Sequence, residues 1–133
     1  MADKLRLVLV TPEKTLLDEP IESLRFPLFD GQIGVLPGRT PMVGRLGYGE
    51  LRIRRAGSEE VYYIDGGFAQ IKGGVVSLLT NRALPQSEID SADADQQLAS
   101  AIGKKPVSDD EFAEKDRDLE RARRLVALAN KPR

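Results

Sequence analysis

Residues 30–54 read DGQIGVLPGRTPMVGRLGYGELRIR. Six glycines and two prolines stand there among apolar and basic residues. Two chemistries use such a stretch. A phosphate-cradling loop needs glycines at fixed spacing where a strand enters a helix; a series of turns needs them wherever φ must be positive. The phosphate signatures are missing: there is no G-x-x-x-x-G-K-[ST], and GYGELR, from Gly47, is only G-x-G running into a strand-like segment. The stretch therefore reads as turns and bulges of an all-β region.

The flanking segments agree. KLRLVLV places Leu5, Leu7 and Leu9 on one face at period two. IESLRFPLF continues as a strand, with Pro27 pointing to an edge or a bulge because it has no N–H to donate. GELRIRR alternates Leu51 and Ile53 with Arg52 and Arg54, as a half-buried strand does. EVYYID and GFAQIK read as two further strands, where Tyr62, Tyr63 and Phe68 are simply strand residues. Gly73-Gly74, between IK and VVSLL, is a two-residue hairpin signal. Turn signals about every ten residues favour a sandwich or barrel over alternating β and α units.

The period changes near Leu84-Pro85. Ser87 is the expected cap of a helix from Glu88, with Ile89, Ala92, Ala99 and Ile102 roughly on one face. Gly103 and Pro106 end it. Ser108 and Glu111 then form a capping box for a second helix, with an apolar stripe of Phe112, Leu119, Ala122, Val126 and Ala129. The short connection makes the pair an antiparallel hairpin. Its contacts are largely alanine and bury little area, so a movable arm is expected. The chain is thus α+β, with a β-sandwich domain over residues 1–86 and a two-helix hairpin over residues 87–133.

Composition removes whole classes of chemistry. The 133 residues contain neither Cys nor His, which excludes Ser-His-Asp and Cys-His nucleophiles, His-based zinc sites and disulfides. A net charge of −1 offers no field for nucleic acid. The N-terminal apolar run is too short for a signal peptide or a span. The acids Asp90, Asp93 and Asp95, and Asp109, Asp110 and Glu111, sit where helix N-termini favour negative charge. They lack the spacing of an oxygen-rich metal loop, so neither metal nor cofactor is expected. Arg117, Arg121 and Arg124 fall at i, i+4 and i+7 on one helical face. Spacing alone favours a solvated face; the sharper alternative is a docking face for an acidic surface.

Together these segments resemble the epsilon subunit of F-type ATP synthase (delta in mitochondria) over nearly the whole chain. LRLVLVTPEK resembles the family's opening strand ending in V-T-P. GQIGVLPGRTP resembles its G-E-x-G-I-L-P-G-H-x-P block, and YYIDGGFAQI its Y-x-x-x-G-G-F-x-x-V. VVSLLTNRALPQSEID resembles V-x-I-L-x-x-x-A-x-x-x-x-x-I-D. The resemblance implies a sandwich of about ten strands with a two-helix arm. It implies a non-catalytic rotor subunit that joins the gamma subunit to the c-ring, on the cytoplasmic face of a bacterial inner membrane. It also implies an arm that can extend to the catalytic beta subunit and inhibit hydrolysis. The loop matching Gly31, Gln32, Ile33 and Gly34 is then the c-ring contact, and Arg117, Arg121 and Arg124 are the docking cations.

Three positions depart from the family. Gln32 stands where Glu is common and Arg39 where His is common, so an ion pair to the ring is lost at Gln32. Some members bind ATP through [IL]-D-x-x-R-A. Ile89, Asp90 and Ala94 match it, but Asp93 replaces the arginine and would repel phosphate, so weak or absent ATP binding is expected. The competing reading is a stand-alone β-sandwich nucleotide or small-ligand sensor with a helical lid; a carboxylate hydrolase is a distant third.

Overall fold

In the computed structural model, residues 5–38 and 41–130 are described. The chain divides into two compact units, Met1–Pro85 and Gln86–Arg133. The first unit is a β-sandwich of eight strands among the described residues, fewer than the ten expected. They are β1 (Leu5–Val10), β2 (Thr15–Ile21), β3 (Ser23–Leu28), β4 (Gly31–Val35), β5 (Met42–Arg55), β6 (Ser58–Lys72), β7 (Val75–Leu79) and β8 (Ala83–Pro85). Hydrogen bonding follows one path, β2-β1-β7-β6-β5-β3-β4, with β8 on β6. All neighbours are antiparallel except β1 and β7.

The lower count has a specific cause. EVYYID and GFAQIK are one strand, β6, although Gly66 and Gly67 interrupt the pattern. Gly44, Gly47 and Gly49 of the opening stretch likewise lie inside β5 rather than in turns. The inward face changes parity along both strands. Met42, Gly44 and Leu46 face inward at one end of β5, and Leu51 and Ile53 at the other. The pairing stays in register across the change, from Leu46–Gly67 to Gly49–Ile64. A hairpin that bends at glycines can thus serve both layers of the sandwich. Gly47 also allows β5 to approach β3, since a Cβ there would lie 2.7 Å from the Leu28 carbonyl oxygen.

Leu5, Leu7 and Leu9 enter the core as their alternation required, joined by Leu24, Phe26, Leu51, Ile53 and Leu78. Pro27 sits on an interior strand, between β4 and β5, where the β3–β5 ladder is irregular between Arg25 and Leu28. The bulge expectation therefore holds and the edge expectation does not. Gly73 and Gly74 form the β6–β7 turn with φ of 58° and 79°, as the primed hairpin turn requires.

The second unit opens with a 3-10 turn, Gln86–Glu88, followed by α1 (Ser91–Ile102) and α2 (Asp109–Ala129). Asp90, not Ser87, caps α1: its carboxylate accepts from the Ala92 N–H at 2.9 Å. Ser108 caps α2 by accepting from the Glu111 N–H, and the Glu111 carboxylate accepts from the Val107 N–H. The buried faces differ from the periodic stripes. In α1 they are Ala94 and Ala101, with Ala92, Ala99 and Ile102 exposed. In α2 they are Ala122, Leu125 and Leu128, with Phe112 exposed. The helices have unequal lengths: α1 has 12 residues and α2 has 21, so the first turns of α2 have little of α1 to pack against.

Candidate functional site

The site is a set of surfaces rather than a cleft. On the outer face of the sandwich, Arg45 of β5 lies directly opposite Phe68 of β6, and Phe68 opposite Leu79 of β7. Phe29, in the β3–β4 turn, packs its ring beneath the Arg45 guanidinium at 4.8 Å, a cation–π arrangement. Val43 lies two residues along β5 on the same face. Phe29, Val43, Phe68 and Leu79 are 53–74% exposed. The row is apolar with one cation at its centre, a composition typical of a protein-binding surface. Sequence reading missed this patch, although a signal was present. Once Ala69 and Ile71 point inward, strand parity sends Phe68 outward.

Gly31, Gln32, Ile33 and Gly34 are not a loop. They form most of β4, the strand at one end of the hydrogen-bonded path, paired only with β3. The preceding two residues, Phe29 and Asp30, make the tight turn. Gly31, Gln32 and Gly34 are exposed, while Ile33 packs against the core. Arg39 lies outside the described residues.

Arg117, Arg121 and Arg124 share a helical face but not a situation. Arg121 is half-buried and turns back onto Asp118 at 3.4 Å. Arg124 is exposed and pairs with Glu120 at 3.1 Å. Arg117 is exposed. Asp118 also holds Lys104, from the α1–α2 connection. Its hydrogen bond keeps the Lys104 ammonium above its usual 10.5; Glu114 adds to this and Arg121 opposes it. Lys115 donates to the carbonyl oxygens of Ile102 (3.1 Å) and Lys104 (2.8 Å), closing the end of α1.

Ile89, Asp90 and Ala94 are split among tasks. Ile89 and Ala94 are buried, and the Asp90 carboxylate is engaged as the helix cap. Asp93 is exposed on the first turn of α1 and lines a groove with Gln97, Lys104, Asp118 and Arg121. The two cations of that groove already face Asp118. No helix among the described residues is long and apolar enough to cross a membrane.

Comparison with known proteins gives the same frame. Residues 4–86 match the family model described as ATP synthase, Delta/Epsilon chain, beta-sandwich domain. The ATP synthase epsilon chain of Rhodopirellula baltica is 44% identical over 119 residues, covering 90% of this chain and 93% of that protein. The epsilon chain of Leptospira interrogans is 37% identical, covering 81% and 84%. Among solved structures, a chain of the Euglena gracilis mitochondrial ATP synthase (OSCP/F1/c-ring) superposes with a TM-score of 0.85 at 28% identity. It covers 96% of this chain and 82% of that one. The glycine-bent sandwich, the helical pair that follows it in sequence and likeness over nearly the full length lead to one assignment: the chain belongs to the ATP synthase delta/epsilon family.

Proposed function

We propose that the chain works as a non-catalytic central-stalk subunit of an ATP synthase rotor, coupling ion flow to synthesis through surfaces rather than through a reactive centre. The exposed row Phe29–Arg45–Phe68–Leu79 carries this reading, because so much solvent-facing apolar surface calls for a partner. That partner is the gamma subunit. The β4 edge at Gly31, Gln32, Ile33 and Gly34 faces the c-ring, and Gln32 offers it hydrogen bonds without charge. Catalysis belongs to other subunits, at the cytoplasmic face of a bacterial inner membrane, to which the chain is tied only through the complex.

The helical unit is a regulatory arm in this reading. Arg117 and Arg124, exposed on α2, are the cations that dock on an acidic segment of the beta subunit, whereas Arg121 is engaged within the hairpin. ATP binds weakly at most, since Asp93 stands where phosphate would need a cation and Asp118 already occupies Lys104 and Arg121. The test is hydrolysis by the cognate catalytic head with its gamma subunit, titrated with this chain. Phe68→Glu should abolish binding to gamma. Arg117→Glu with Arg124→Glu should preserve binding and relieve inhibition. Undiminished binding by Phe68→Glu would refute the interface; unchanged inhibition by the arginine pair would refute the docking face.

A further inference from the structure

Arg45 is an exposed cation among apolar side chains. Register sets its neighbours. Its row continues across β6 and β7 through Phe68 and Leu79, and the next row is Val43, Gln70 and Ser77. None of these carries a charge. Among the described residues Arg45 makes no ion pair, whereas Arg6, Arg52, Arg54 and Arg55 each face a carboxylate. Its place is nevertheless fixed. The Phe29 N–H donates to the Arg45 carbonyl oxygen at 2.8 Å, which pins the β3–β4 turn against β5. The Phe29 ring then lies 4.8 Å from the guanidinium. A ring face attracts the cation but accepts little from its N–H groups, so the edge of the fork stays open to a further acceptor.

That edge matches a carboxylate, which can take two parallel hydrogen bonds from it. A single cation is too little for nucleic acid or an anionic membrane, which call for clusters of basic residues. A second copy of the same face would bring Arg45 against the same uncharged rows, with no anion to offer. The complement is therefore a different protein, with an apolar surface that carries one carboxylate.

We infer that Arg45 is the specificity cation of this face: it forms a forked ion pair with a carboxylate of the gamma subunit, sealed from water by Phe29, Phe68 and Leu79. This rests on the rotor reading and adds to it the chemistry that the partner must present. Phe29 holds the guanidinium before the partner arrives, so less side-chain freedom is lost on docking. The apolar rim excludes water once the surfaces meet, which strengthens the pair. A partner surface without the carboxylate would bury Arg45 unpaired, and the face rejects it on that ground.

The test is binding of the full chain to the cognate catalytic head with its gamma subunit, with association and dissociation rates measured separately. Arg45→Gln should weaken binding at least about thirtyfold, mostly through faster dissociation, as truncating one side of a buried charge pair does. Arg45→Lys should recover only part of the loss, because a point charge lacks the fork. Phe29→Leu keeps apolar bulk but removes the ring face, and should weaken binding about two- to fivefold. Arg45→Glu should be rescued by reversing one acidic residue of gamma to arginine. Arg45 is exposed, so its variants should keep the unaltered urea midpoint. Unchanged affinity in Arg45→Gln, with Phe68→Glu unable to bind, would overturn the ion pair and leave the rotor reading standing. A loss in Arg45→Gln that no gamma reversal rescues would overturn it too, since the cation would then meet no carboxylate. Failure of the unaltered chain to bind the head would overturn both readings. Sedimentation of the free chain covers the other occupant: a dimer that Arg45→Gln dissociates would assign the cation to self-association and overturn the inference.

Discussion

Replacing Gly67 with alanine should be among the most damaging single-methyl changes in the sandwich. Gly67 sits in β6 with φ of +114°, a conformation that L side chains rarely adopt. A Cβ built there would stand 1.8 Å from the Leu79 carbonyl oxygen, 2.8 Å from its carbonyl carbon and 2.9 Å from Thr80 Cα. All three are backbone atoms, so no side-chain rotation relieves the overlap; β7 must move away from β6. That movement strains the Phe68–Leu79 and Ala69–Leu78 pairs and shifts Leu78, which is fully buried. Backbone strain of about 1–3 kcal/mol and a comparable overpacking cost together give a loss of about 2–6 kcal/mol. Total stability of a domain is only about 5–15 kcal/mol. Gly57→Ala is the control. Gly57 also has positive φ, +77°, but nothing lies within 4 Å of a Cβ there, so its cost should be about 1 kcal/mol of strain alone. The assay is urea unfolding followed by tyrosine fluorescence. The chain has no Trp and three Tyr, at positions 48, 62 and 63, all within the first unit, so the signal reports the sandwich without the helices. Equal midpoints for the two variants would refute the claim that the close approach of β7 is what fixes Gly67.

Other expectations follow from the same geometry. Ala56 occupies the β5–β6 turn with φ of 49°, so Ala56→Gly or Ala56→Asn should stabilise the sandwich by about 0.5–1 kcal/mol in the tyrosine-monitored titration. In the helical unit, Leu125→Ala should cost about 2–4 kcal/mol because the side chain is buried, whereas Phe112→Ala should cost well under about 1 kcal/mol. Thermal melting at 222 nm separates them, and an equal effect would restore the stripe read from periodicity. Ser108→Ala should remove about 1 kcal/mol from α2 by leaving the Glu111 N–H without its cap, seen as faster exchange in the first turn. The raised titration of Lys104, which faces Asp118, Glu114 and Arg121, means that its contribution is complete below its ordinary 10.5 and disappears as pH rises through the higher folded value. Titrating the Lys104 side-chain resonance by NMR should find its midpoint above the ordinary 10.5, and Asp118→Asn should lower it.

The sequence by itself determined the division into a β-rich part and a helical pair, because hydrophobic period and the chemistry of turns and caps are local. Leu5, Leu7 and Leu9 went inward as alternation required, Gly73-Gly74 turned where two positive φ values were needed, and Ser108 capped α2. The family was legible for the same reason, since its glycine blocks are written consecutively along the chain. What the tertiary structure decided depended on what lies opposite. Gly44, Gly47, Gly49, Gly66 and Gly67 look like turns along the chain and are strand residues in the fold, because bends and close backbone approaches between β3, β5, β6 and β7 call for glycine without breaking the ladder. Asp90 took the cap from Ser87 because a 3-10 turn came first. Phe112 lost its place in the interior to Leu125 and Leu128 because a helix buries only the face that its partner reaches, and a partner's length is not written in the helix itself. Arg121 differs from Arg117 and Arg124 for the same reason: its spacing set its face, and Asp118 one turn away set its local partner.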